Sequence, residues 1–143
     1  MTAPATPPFP GVGDAGPQRS FGPITRTDIV RYAGASGDFN PLHHDEHSAH
    51  AAGLPTVLSI GMFQGGLLGT YVTDWLGTAS LHRFRLRFTA RVWPGDTLSC
   101  SGTITEVENR GGQEARVVAE LRCVRQTGDA VVHATAEYMW RRP

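Results

Sequence analysis

The chain has 143 residues, 40% of them apolar, and its thirteen basic side chains are balanced by thirteen acidic ones. That length suits one domain with a real core, and the charge balance leaves no electrostatic footprint for nucleic acid or an anionic membrane surface. No run reaches the ~18 uncharged apolar residues of a membrane span, and the start lacks the basic and apolar regions of a secretion signal, so a cytoplasmic protein without membrane contact is expected.

Residues 1–20 are rich in proline, with Phe9 and Val12 among few apolar groups. They read as an extended arm without a core of its own, leaving 21–143 as the single folded domain. TRTDIVRYAGAS follows as a helix, with Thr27 as the expected N-cap and Ile29, Tyr32 and Ala33 at helical spacing. Gly37 ends it, and Asn40-Pro41 bars continuation because the residue before a proline is pushed out of the α region. Asp45 reads as the N-cap of a second short helix, EHSAHAAG, which Gly53 closes.

GMFQGGLLGTYVTDWLG is apolar on nearly every side, the pattern of a helix buried all round. Gly65, Gly66 and Gly69 each cost about 1 kcal/mol relative to alanine there, so close approach of another backbone is expected to compensate. Beyond Gly77 the pattern alternates with period two. Phe84, Leu86, Phe88, Ala90 and Val92 share one face of a strand, while Arg83, Arg85, Arg87 and Arg91 share the other. Three more strands follow between turn signals at Pro94-Gly95-Asp96, Asn109–Gly112 and Gly128-Asp129. Cys100 and Cys123, within such runs, are expected to be buried thiols rather than a disulfide. The result is an α+β layering, one antiparallel sheet with an apolar face covering one buried helix.

Chemistry concentrates in GASGDFNPLHHDE. One reading is a structured turn in which Asp38 and Asn40 bond local backbone. A second is a metal site, since His43-His44-Asp45-Glu46-His47 fits the loose H-x-x-E-H pattern. That pattern needs both histidines on one helix, and Pro41 with the Asp45 cap puts His43 ahead of it. The third is an acid/base pair, because a carboxylate and an imidazole five residues apart in a bent chain can converge on one point. From residue chemistry alone, either His43 or His44 could supply the imidazole. His82 and His133 read as structural histidines, and His47 and His50 as surface ones.

The run Tyr32–Asp45, with its Gly-Asp-Phe-Asn-Pro-Leu-His core, resembles the hydratase-2 signature of the MaoC-like enoyl-thioester hydratases and dehydratases. Ile60-Gly61-Met62, Tyr71–Trp75, Arg87–Ala90 and Pro94-Gly95-Asp96 extend the resemblance over roughly residues 20 to 140. Within the family the look is that of the catalytic subunit of the mycobacterial-type (3R)-hydroxyacyl-ACP dehydratases. The resemblance implies a hot-dog fold, a long central helix wrapped by an antiparallel sheet. It implies Asp38 and His43 as the catalytic dyad, the Gly61 amide as oxyanion donor, and Asn40 as the residue that orients the loop. Ile60 stands where the family usually carries histidine.

The implied activity is (R)-specific hydration of a 2-enoyl thioester, or the reverse dehydration, on CoA or acyl carrier protein, with no cofactor and no metal. A non-catalytic hot-dog subunit that binds an acyl thioester, and an acyl-thioester hydrolase, are the alternatives. A homodimer is expected, with a heteromer of two related hot-dog subunits as the other possibility.

Overall fold

Thr25, not Thr27, starts the first helix in the computed structural model, which describes residues 9–141. The Thr25 hydroxyl accepts from the Asp28 amide at 3.0 Å, and the Asp28 carboxylate accepts from the Thr25 amide at 2.8 Å. This reciprocal capping box satisfies two amides at once, whereas a cap at Thr27 would have left Asp28 without that role. Helix α1 then runs Arg26–Ser36 and ends at Gly37, whose φ of 74° is left-handed and whose N–H returns to the Ala33 carbonyl. A short 3₁₀ turn (Pro41–His43) and helix α2 (Glu46–Ala51) follow. Asp45 caps α2 as expected, accepting from the His47 amide and the Ser48 hydroxyl.

Strands β1 (Arg19–Phe21), β2 (Leu81–Phe88), β3 (Leu98–Gly111), β4 (Glu114–Arg125) and β5 (Ala130–Arg141) form one antiparallel sheet in the order β1-β3-β4-β5-β2. The alternation seen in the sequence survives as burial. Leu98, Cys100 and Ile104, Val117, Ala119 and Leu121, and Val132, Ala136 and Tyr138 all turn inward. Cys100 and Cys123 pair in register across β3 and β4 as free, buried thiols. Strand β1 carries no alternation long enough to be read from sequence. Ahead of it, Gly13 and Gly16 donate to the Ile104 and Gly102 carbonyls, and Phe9 meets Trp140 edge-on.

Helix α3 (Gly61–Leu76) lies across the sheet's inner face, burying Gln64, Gly65, Leu68, Tyr71, Val72 and Leu76. It is not buried all round. Met62, Gly66, Thr70 and Asp74, one turn apart, form an exposed stripe. The glycines also act differently from expectation. A Cβ on Gly61, Gly65 or Gly69 would meet Phe88, Leu86 or Phe84 at 3.5, 3.1 and 3.6 Å, so it is side chains of β2 that approach, not backbone. Gly66 faces open space and takes no part. At the far end, the buried Tyr138 hydroxyl donates to the Gly77 carbonyl at 3.0 Å and lies 3.3 Å from that of Val72, closing the C-terminus of α3. Strand β2 stops at Phe88, short of the run to Val92; Ala90 is exposed, while Val92 is buried on the path to the Pro94-Gly95-Asp96 turn. Asp96 fixes that turn by accepting from the Trp93 amide and the Gln126 side chain.

Candidate active site

The loop after α1 is folded by its own polar side chains. Asp38 Oδ1 accepts from the Asn40 amide at 3.3 Å, Asn40 Oδ1 accepts from the Leu42 amide at 3.1 Å, and the His43 amide returns to the Asn40 carbonyl at 3.0 Å. Pro41 opens the 3₁₀ turn, where its missing N–H costs nothing. The local-turn bonds and the approach of Asp38 to His43 coexist, because the two oxygens of Asp38 point to different partners. Oδ1 holds the loop, and Oδ2 lies 3.7 Å from His43 Nε2.

The other imidazole nitrogen sets the tautomer. His43 Nδ1 sits 2.8 Å from the Leu58 carbonyl oxygen. A carbonyl can only accept, so the proton is on Nδ1, and Nε2 of the neutral ring is left as an acceptor toward Asp38. The Leu58 carbonyl is held in turn, since the Leu58 amide donates to Leu42 and the Ser59 amide to Val92. Two acceptors at that separation do not bond each other; a water molecule can donate one hydrogen to each. His43 is mostly shielded, at 12% side-chain exposure, while Asp38 at 42% stays open.

His44 is exposed, and of the two neighbouring histidines it is His43 that faces Asp38. The H-x-x-E-H residues do not converge. His43 turns to Leu58 and Asp38, Glu46 accepts from Thr56 and pairs with Arg26, and His47 is exposed. Among the described residues, no group of three His, Cys, Asp or Glu side chains is placed to hold a metal ion.

Three residues beyond Leu58, Gly61 begins α3. Ile60, at its N-cap, is 3% exposed within the core and offers no side-chain cap. The Gly61 and Met62 amides have no acceptor inside the helix, the Phe63 amide returns to the Ile60 carbonyl at 2.9 Å, and the sixteen-residue helix places partial positive charge at this end. Ser59 and Gln64, both buried, bond each other at 3.1 Å and brace this turn. Nothing in the sequence pattern marked the Leu58 carbonyl, because a backbone acceptor leaves no residue signal. The Ser59–Gln64 pair could have been suspected only from two polar residues in an apolar run. Beside this end of α3, Tyr32, Ala35 and Phe63 line a mainly apolar open hollow of about 300 Å³ together with Asp28 and Arg31, with the Tyr32 and Phe63 rings 5.3 Å apart.

Residues 13–126 match the model of the MaoC like domain. The chain belongs to the MaoC-like domain family. It is 35% identical over 130 residues to 3-hydroxyacyl-thioester dehydratase Y of Mycobacterium tuberculosis, covering 82% of this chain and 44% of that protein. The chain thus spans less than half the length of that relative. Among solved structures, a chain of the ChsH1-ChsH2 complex from Mycobacterium tuberculosis is 28% identical, with a TM-score of 0.80 over 94% of this chain and all of that one. The R-hydratase PhaJ1 from Pseudomonas aeruginosa is 27% identical, with a TM-score of 0.73 over 93% of this chain and 83% of that one. The sheet wrapped around α3 is the hot-dog fold of these MaoC-like proteins.

Proposed function

We propose that the protein is an (R)-specific enoyl-thioester hydratase, or in the reverse direction a 3-hydroxyacyl-thioester dehydratase, acting through Asp38 and His43. The observation that carries this reading is the pair of acceptors, Asp38 Oδ2 and His43 Nε2, 3.7 Å apart, with the imidazole tautomer fixed by Leu58. A water held by both acceptors has its lone pair free for C3 of a 2-enoyl thioester. As the O–C3 bond forms, the C2=C3 pair shifts toward the thioester carbonyl and leaves negative charge on its oxygen. The Gly61 amide, at a helix N-terminus, is suited to hold that charge. The proton that leaves water onto one member of the dyad is the one returned to C2, so water adds across one face with nothing left over. Asn40 holds the loop and takes no part in the proton transfer. The hollow bounded by Ala35 and Phe63, close in chain to Asp38 and Gly61, suits the acyl portion.

The relatives named for dehydration of 3-hydroxyacyl thioesters and for R-hydration support this reaction class. Product analysis separates it from the hydrolase alternative. With a trans-2-enoyl-CoA, the expected product is the (R)-3-hydroxyacyl-CoA with no free thiol. Free thiol in proportion to substrate lost would make the protein a thioesterase. No reaction with any chain length or branched or ring-bearing acyl group would leave the non-catalytic subunit.

The assembly we propose is a dimer joined along β2. Among the described residues that strand pairs only with β5 and forms one end of the sheet, and unpaired edges invite association. Phe88 on this strand and Met62 beside Leu86, at 47% and 50% exposure, add apolar surface along it. A homodimer would carry two complete dyads. Likeness to one chain of the two-protein ChsH1-ChsH2 complex favours the heteromeric form as a second reading.

A further inference from the structure

The face of the sheet turned away from α3 carries a basic groove, and nothing in the chemistry above uses it. A groove of about 570 Å³ runs there across β2, β5, β4 and β3. The strand register sets its walls. Arg87 pairs with His133 and His133 with Arg122, so two guanidiniums flank one imidazole in a single row. In the neighbouring row Arg85, Thr135, Glu120 and Thr103 follow in the same way. Directly opposed residues on one sheet face have their Cβ atoms about 5 Å apart, so Arg87 and Arg122 each sit against His133 rather than against each other.

Arg19, Arg26, Arg110, Arg116, Arg125 and Arg141 are all in ion pairs. Among the described residues, Arg85, Arg87 and Arg122 line the groove with no carboxylate within ion-pair distance, though Glu120 is on the same face. His133, which the sequence pattern reads as structural, is exposed beside them. A second copy of the chain is a poor occupant, because a two-fold contact would set one arginine row against another. The concavity is within the size range of small-molecule sites, and arginine forks match phosphate oxygens.

We propose that this outer groove binds a phosphate-bearing small molecule, with Arg87, His133 and Arg122 holding the phosphate and Thr103, Glu120 and Thr135 facing its hydroxyl-bearing part. Arg87 and Arg122 stand two strand spacings apart, about 10 Å, and their side chains can close on one phosphate over His133. Glu120 repels a second phosphate in its own row and accepts from a sugar hydroxyl instead, which selects a phosphate ester over inorganic polyphosphate. The shared chemistry fits either the nucleotide end of a coenzyme or a free nucleotide.

Calorimetric titration of the whole chain with adenosine 3′,5′-bisphosphate, ADP, pyrophosphate and adenosine tests the proposal, with amide chemical shifts to locate binding. Binding of a phosphorylated nucleotide, none of adenosine, and shifts centred on Arg122 and His133 are expected. Arg87→Gln and Arg122→Gln should each weaken binding at least ~10-fold, the scale of a charged hydrogen bond, and Arg110→Gln, a surface neutralisation on the hairpin tip, should not. Preference for the bisphosphate would point to a coenzyme and preference for ADP to a free nucleotide, and either supports the groove. Pyrophosphate binding as tightly as either nucleotide would contradict the role given to Glu120 and the ester selectivity. No binding at millimolar ligand, equal weakening by Arg110→Gln, shifts confined to Asp38 and Gly61, or a face that takes only an acidic protein would each overturn the proposal. Hydration of enoyl thioesters does not enter this test, so its outcome is independent of the proposed activity.

Discussion

At the scale of single residues, the arrangement depends on which atoms can give and which can take a proton. Asp38 and His43 present acceptors to one point because Asp38 spends its other oxygen on the Asn40 amide and His43 spends its Nδ1 proton on Leu58. Gly61 offers a separate test of the oxyanion assignment. A Cβ there would make only ordinary contact with Phe88, at 3.5 Å, so Gly61→Ala should leave thermal stability nearly unchanged. If a thioester carbonyl approaches that amide, the same change should lower kcat/KM for hydration by ~10-fold or more, within the range for impairing one oxyanion donor. Full activity in a folded Gly61→Ala protein would remove Gly61 from the site. Asp38 and His43 stood out in the sequence because the Gly-Asp-Phe-Asn-Pro-Leu-His run resembles a family signature; their spacing alone left the acid/base pair level with a local turn. What was not legible is the choice between His43 and His44 from chemistry alone, which depends on a carbonyl fifteen residues away in the chain.

At the scale of elements, caps and clamps decide where each helix begins and ends. Thr25→Ala removes one half of the α1 capping box and should cost about 1 kcal/mol, measurable by chemical denaturation. The hydrogen bonds from Thr25 hold the Asp28 carboxyl below its usual range. A depressed carboxylate contributes stability that is complete above about pH 4, its unfolded value, and is lost as pH falls through the lower folded value. Asp28→Asn should therefore flatten the acid limb of the stability curve and leave the neutral limb's shape alone. At the other end of the core, burial pushes the Tyr138 phenol up to about 12. Tyr138→Phe should cost about 1–2 kcal/mol, because the Gly77 carbonyl loses its donor while the ring stays packed.

Helix α1 was readable from its apolar spacing, α2 from its caps, α3 from an unbroken apolar run and the four long strands from alternation. Strand β1 was not, because three residues cannot show a period. The exposed stripe on α3 was missed for a different reason. Met62 and Gly66 are not polar, so composition makes a helix facing solvent on one side look like one enclosed on all sides.

At the scale of the whole molecule, the free edge of β2 and the exposed Met62 beside Leu86 of that strand are apolar surface that the proposed dimer would cover. Sedimentation of the protein expressed alone should give twice the chain mass, or a monomer that gains activity only with a related hot-dog partner. A monomer active by itself would contradict this assembly. The central claim is that Asp38 and His43 add water to an enoyl thioester, and the initial rate at which enoyl-thioester absorbance falls tests it most directly. With a reactive trans-2-enoyl-CoA, the wild-type protein should consume substrate, while Asp38→Asn and His43→Ala, each with an unchanged circular dichroism spectrum, should be slower by ~100-fold or more, the lower range for general acid–base catalysis. A folded variant at either position that kept the wild-type rate would contradict the account.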